Sequence, residues 1–169
     1  MRKSIVRALE TVKPFVPRLQ FLCLVDGLKG EERTFFREKL RYLEMTINTM
    51  PVTYQQSELG EQAVVHLHYF MGGCDWWITE KDMEGGTQQA FGLVDLGHGA
   101  ELGYISIDEL VSVRGMDVDL HWEPKTLAQV KAERAGAAAE PEPVEPAYTV
   151  AQVVNPHAWF ADAAVGLVH

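Results

Sequence analysis

His66 and His68 are the residues whose type and spacing come nearest to metal chemistry. Two imidazoles two positions apart on a strand point to the same side and would share an ion if a third ligand joined them. Asp75, Asp95 and His98 are the available donors, yet nothing in the spacing brings any of them to the pair. Histidines on strands also pack beside tyrosine and aliphatic neighbours, and no metal is expected. Asp95 and Glu101 flank a glycine-dense run, FGLVDLGHGAELGY from Phe91 to Tyr104. As converging carboxylates they would serve acid–base or magnesium chemistry. Turn capping, in which such side chains bond the free amides of the turn, is the stronger expectation. Gly97, Gly99 and Gly103 do not read as a phosphate cradle, because that motif needs a helix after the glycine turn and Leu102 to Ile105 reads as strand. Glycines there suit the positive φ of a hairpin. Cys23 and Cys74 have no basic neighbours or fixed histidine to activate a thiolate, and no GxSxG, HExxH, P-loop or CxxC pair occurs. No catalytic residue and no cofactor is assigned. A metal- or nucleotide-dependent enzyme built on the Asp95/Glu101 turn is kept as an alternative.

Charge narrows the choice further. The chain carries 15 Lys plus Arg against 24 Asp plus Glu, a formal charge of -9. Residues 1–50 hold 10 basic and 6 acidic side chains, whereas residues 51–169 hold 5 basic and 18 acidic. So negative a body repels nucleic acid unless the basic segment is presented alone. Arg33, Arg37 and Arg41, spaced by four, would form that basic stripe, and a nucleic-acid binder using them is the second alternative. Glu44, three residues past Arg41, argues instead for an internally paired helix surface. An acidic surface attracts a basic protein groove, including one built to hold nucleic acid. The expected partner contacts are therefore acidic residues on the sheet side, Asp75, Glu80, Asp82 and Glu84.

The elements that must position these residues are legible in part. At 169 residues and 47% apolar, the chain can bury a core without disulfides or a structural metal. Ile5, Leu9 and Val12 mark a short helix over residues 3–13, ended by Pro14. Phe36, Leu40, Leu43, Ile47 and Met50 step by four, three, four and three, which puts them on one stripe of a helix closed by Pro51. Phe21 to Val25 is too short to assign. From Ala63 the period becomes two, and strands are expected over 63–70, 74–80, 90–96, 102–105 and 117–122. Ser106 with Glu109, and Thr126 with Gln129, are capping-box pairs that open helices. The predicted architecture is α+β: a mainly antiparallel sheet of about five strands (61–123) packed on a helical segment (1–50), then a helix over 126–134.

Residues 135–147, AGAAAEPEPVEPA, read as an extended linker, and 148–169 as a docking tail with Trp159 and Phe160 as anchors. That tail is expected to dock on its own domain or on a partner, including a second copy in a homodimer. The start MRKSIVRALETVK is charged where a secretory signal would be apolar, no run reaches the ~18 residues of a membrane span, and a cytoplasmic setting is expected.

Three motifs carry a family resemblance: WWITE (Trp76 to Glu80), FGLVDLG (Phe91 to Gly97) and ELGYISIDEL (Glu101 to Leu110), followed by DLHW and a short helix. They resemble the small plasmid and phage proteins grouped as domain of unknown function 2958, over roughly residues 61–131 and, through DGLKGEER and Phe35-Phe36, back to about residue 21. Trp76, Phe91, Asp95, Gly97, Glu101, Leu102, Gly103 and Tyr104 match the recurrent positions, whereas His66 and His68 do not. The resemblance implies a setting on mobile elements, where accessory proteins protect incoming DNA from restriction or CRISPR systems, and it transfers no catalytic residue. The expected function is that of a non-enzymatic accessory protein that binds and blocks a host protein or ribonucleoprotein complex of nucleic-acid handling or defence, as an anti-CRISPR or antirestriction inhibitor does.

Overall fold

The computed structural model describes residues 2–139, with side chains from Ser4 to Gly136. The chain divides after Glu133, and the description below concerns Met1–Glu133 together with the end of the last helix. Helix α1 (Arg2–Val12) runs into a 3-10 turn (Lys13–Phe15) that carries Pro14 near its start, and α2 (Arg18–Gly27) begins after Pro17. Helix α3 (Arg33–Thr49) ends before Pro51, as a residue without a backbone donor requires. Its apolar stripe is the centre of the main core, with Leu40, Leu43, Ile47 and Met50 all buried and Phe36 packed alongside.

Past a 3-10 turn (Ser57–Gln62) come the strands β1 (Val64–Val65), β2 (Leu67–Met71), β3 (Cys74–Glu80), β4 (Ala90–Asp95) and β5 (Ala100–Ile105). They are followed by α4 (Ile107–Ser112), β6 (Asp117–Val118), β7 (Lys125–Thr126) and α5 (Leu127–Ala139). Five strands form one sheet in the order β5-β4-β3-β2-β6, antiparallel at every pairing, and β1 and β7 pair separately. The fold is α+β, with the helices and five-stranded antiparallel sheet that the residue pattern predicts.

Both faces of the sheet are used. On one, Leu67, Tyr69, Ile78 and Val118 pack against α1, α2 and α3. Tyr69 is fully buried, and its hydroxyl donates to Phe15 O at 2.7 Å, tying β2 to the turn after α1. On the other, Trp77 and Leu93 meet Val65, Trp122, Leu127 and Val130 in a smaller core. Trp122 Nε1 donates to Val65 O at 3.1 Å, which satisfies the polar edge of a buried indole.

Several expected boundaries differ. The single strand expected over 63–70 is split at His66, because β1 leaves the main sheet to pair with β7. The fifth strand is only Asp117–Val118: Asp119 Oδ1 accepts from His121 N at 2.8 Å, and this turn swings Trp122 into the smaller core. Helix α2 occupies the stretch that the pattern left unassigned. The helix after Thr126 extends through 135–139, which the sequence reading gave to the linker, because alanine is the best helix former. The rest of the linker, and the tail with Trp159 and Phe160, lie outside the described residues.

Candidate functional site

Glu80 is the last residue of β3 and the point where that strand loses register with β4. Ile78 pairs with Gly92 but Glu80 pairs with Phe91, so Thr79 is an extra residue on the β3 side. Simple alternation would send Glu80 to the face of Ile78, toward α3; the bulge re-aims it to the opposite face, where Phe91 lies. There the side chain is 3% exposed.

Its charge is met by backbone amides. Tyr54 N donates to Glu80 Oε2 at 3.1 Å, and Gln56 N donates to Oε1. The segment that supplies these donors is stitched to the end of β3: Thr53 N and Thr53 Oγ1 both donate to Lys81 O at 2.8 Å. Gln56 is saturated, giving its amide N–H groups to Thr79 O (2.8 Å) and Val64 O (3.0 Å) while its carbonyl accepts from Val64 N at 2.7 Å. At the centre of this segment Tyr54 has φ +78°, the only non-glycine in the left-handed region among the described residues. That conformation costs about 1–3 kcal/mol and persists only where its surroundings over-determine it.

The segment and the sheet enclose a cavity of about 280 Å³, bordered by Tyr54, Thr79, Glu80, Phe91, Leu102 and Tyr104 among others. Phe91 and Tyr104, paired across β4 and β5, meet edge to face with ring centroids 5.4 Å apart. The Tyr54 and Tyr104 hydroxyls lie 2.8 Å apart and bridge the segment to β5, a bond that raises the Tyr104 hydroxyl above its usual titration range. Among the described residues Glu80 is the sole acidic one on the cavity wall, and no Lys, Arg or His lines it. The neighbouring Lys81 turns away: its ammonium donates to Ile47 O at 2.6 Å, at the carbonyl end of α3, and burial lowers its pKa. Among the described residues Glu80 has no ion-pair partner. A carboxylate anchored by two amides and walled by aromatic rings can hold a positive or hydrogen-bond-donating group.

The other expected site residues are dispersed. Asp75, at the far end of β3, bonds His68 Nε2 at 2.8 Å, and the His68 ring stacks on Trp77 at 5.4 Å with 6° between planes. Asp82 caps the turn after β3, accepting from Glu84 N at 3.2 Å and Gln89 N at 3.1 Å, and Glu84 is exposed in that turn. Glu80 is thus the one member of the acidic set that borders the cavity, and it is internal. Asp95 pairs with Ala100 while Glu101 pairs with Val94, so the two carboxylates lie on opposite faces of the sheet and do not converge. Asp95 Oδ1 accepts from Gly97 N at 2.6 Å, which caps the turn. Of the arginine stripe, Arg33 and Arg41 are exposed, but Arg37 is half-buried beside Ile5 and Ala8 of α1. No group of three or more His, Cys, Asp or Glu among the described residues is placed to hold a metal ion.

Residues 38–141 match the family described as protein of unknown function, DUF2958. The chain belongs to this family. No curated protein and no solved structure matches it. The matched span takes in most of α3, the sheet and α5, so every residue bordering the cavity falls inside the DUF2958 region. Two of the motif positions quoted from the sequence, Phe91 and Tyr104, form its aromatic wall. Trp76 packs against the main core, and Glu101 is exposed on β5. Tyr54 escaped the sequence reading, since nothing in TYQQS signals a left-handed residue facing a strand 26 positions later.

Proposed function

We propose that this DUF2958 protein acts by binding: as an accessory protein of a mobile element, it engages and obstructs a host protein or ribonucleoprotein of nucleic-acid handling or defence. The observation that carries this reading is the edge strand β5. Among the described strands it pairs only with β4, and it carries Leu102 (50% exposed) and Tyr104 (57% exposed) on one face and the exposed Glu101 on the other, with Leu96 beside it in the preceding turn. A free edge offers its backbone groups to another chain, and exposed apolar side chains along it supply contact area. The surrounding body favours a basic partner, since residues 51–139 hold 14 acidic side chains against 5 basic ones. The mobile-element setting is what the family resemblance implies.

The test is affinity capture from a host lysate together with a plasmid-protection assay, comparing the native chain with Leu102→Lys, which places a like charge against a basic partner. Native protein retains a host complex and protects an incoming plasmid, and the variant does neither while keeping its melting temperature. Absence of both a retained complex and protection for the native chain would overturn the proposal.

A further inference from the structure

The geometry points to the Glu80 cavity as a receptor for an organic ammonium group, the chemistry shared by a lysine side chain and a small free alkylamine. Charge comes first: among the described residues the wall holds one carboxylate and no cation, so the electrostatic complement arrives with the ligand. The carboxylate is already positioned. Each of its oxygens receives one backbone N–H, from Tyr54 or Gln56, which leaves each with further acceptor capacity for an ammonium donor. The remaining wall suits the rest of such a ligand. Tyr54, Phe91 and Tyr104 supply three aromatic rings, whose faces attract a cation, and Leu102 and Leu127 accommodate an apolar stem. At about 280 Å³ the space is at the small end of ligand sites, enough for a single alkyl stem but small for a nucleotide.

The left-handed Tyr54 is a second observation. Its strained backbone is held by the Glu80 bond on one side and the Tyr104 hydroxyl on the other, which fixes one ring of the receptor in place before a ligand arrives. Strain retained at a cavity wall is how a protein keeps a site preorganised.

Titration of the full chain with n-butylammonium chloride, followed through backbone amide resonances, is the decisive experiment, with butan-1-ol as the neutral near-isostere. Saturable shifts at Tyr54, Gln56 and Tyr104, with an affinity at least about tenfold above that of the alcohol, are expected. Glu80→Gln should bring the two affinities within about threefold of each other. Because that change also disturbs two backbone bonds, Tyr104→Leu provides a check at an exposed wall: ammonium affinity falls by about fivefold or more while the amide resonances of the main core keep their native positions. A lysine-containing hexapeptide and its norleucine counterpart separate the two sources. A lysine peptide that binds more tightly than butylammonium assigns the site to a protein partner, and the reverse order assigns it to a free amine. Equal affinity for butylammonium and butanol, or no saturable binding of either, overturns the assignment. This outcome is independent of whether a host complex is captured, so either proposal can fail alone.

Discussion

Tyr54 and Glu80 are joined by a 3.1 Å bond from a left-handed backbone to a buried carboxylate, and the pair fixes where the 52–57 segment meets the end of β3. Replacing Glu80 by alanine leaves the amides of Tyr54 and Gln56 without their acceptor in a buried setting. At about 1–3 kcal/mol for each unsatisfied group, the variant should lose about 2–6 kcal/mol of stability. Chemical denaturation measures the loss, and amide exchange should accelerate first at residues 54 and 56.

Gly92 sits opposite the bulge, where a Cβ would fall 2.1 Å from the carbonyl oxygen of Trp77. That neighbour is backbone and cannot swing aside, so Gly92→Ala must part β3 from β4 locally. A loss of about 1–3 kcal/mol or more is expected in urea unfolding, with shifted amide resonances for Trp77 and Ile78. A melting temperature equal to that of the native chain would show that the two strands have slack.

Tyr69 buries its hydroxyl completely, and that burial raises its pKa well above the ordinary 10.0. The folded value exceeds the unfolded one, so the contribution of the neutral phenol is fully present below about pH 10 and is lost as pH climbs toward the folded value. The native chain should therefore unfold in alkali with a jump in tyrosinate absorbance. Tyr69→Phe removes that contribution, leaves Phe15 O without its donor and costs about 1–3 kcal/mol at neutral pH.

His66 behaves in the opposite sense. Burial lowers its pKa below the usual 6.5, so the folded chain favours the neutral ring. Stability is fully present above about pH 6.5 and declines as pH falls through the lower folded value, because the unfolded chain then binds a proton that the folded one resists. Melting temperatures between pH 7 and 5 should fall for the native chain and fall less for His66→Gln. Parallel slopes for the two proteins would remove His66 as the cause.

Much of this architecture can be read from local pattern, and the exceptions have physical causes. The stripe from Phe36 to Met50 reads as a helix face because packing buries Leu40, Leu43, Ile47 and Met50 and half-buries Phe36. The Thr126–Gln129 capping box closes with reciprocal bonds of 2.9 and 3.3 Å, and Ser106 Oγ caps its helix by accepting from Glu109 N at 3.2 Å. Helix α2 was illegible because Leu19 and Leu22 are exposed while Leu24 is buried, which blurs any single apolar face. The alternation from Val118 to Trp122 is genuine, yet Asp119 turns the chain after two paired residues. The candidate site was the least legible part. Glu80 looked like a surface acid at a strand end, and one extra residue, Thr79, reverses its direction. Bulge, left-handed tyrosine and cavity all depend on the meeting of segments some 25 residues apart, which a pattern of period two cannot express.

The smaller core closes late in the chain. Trp77 and Leu93 belong to the middle of the sequence, but their cover comes from Trp122, Leu127 and Val130, and β1 waits for β7. During synthesis on the ribosome, the meander from β2 to β5 therefore emerges with a tryptophan-bearing face still open, until the 25 residues from Ser106 to Val130 have cleared the exit tunnel.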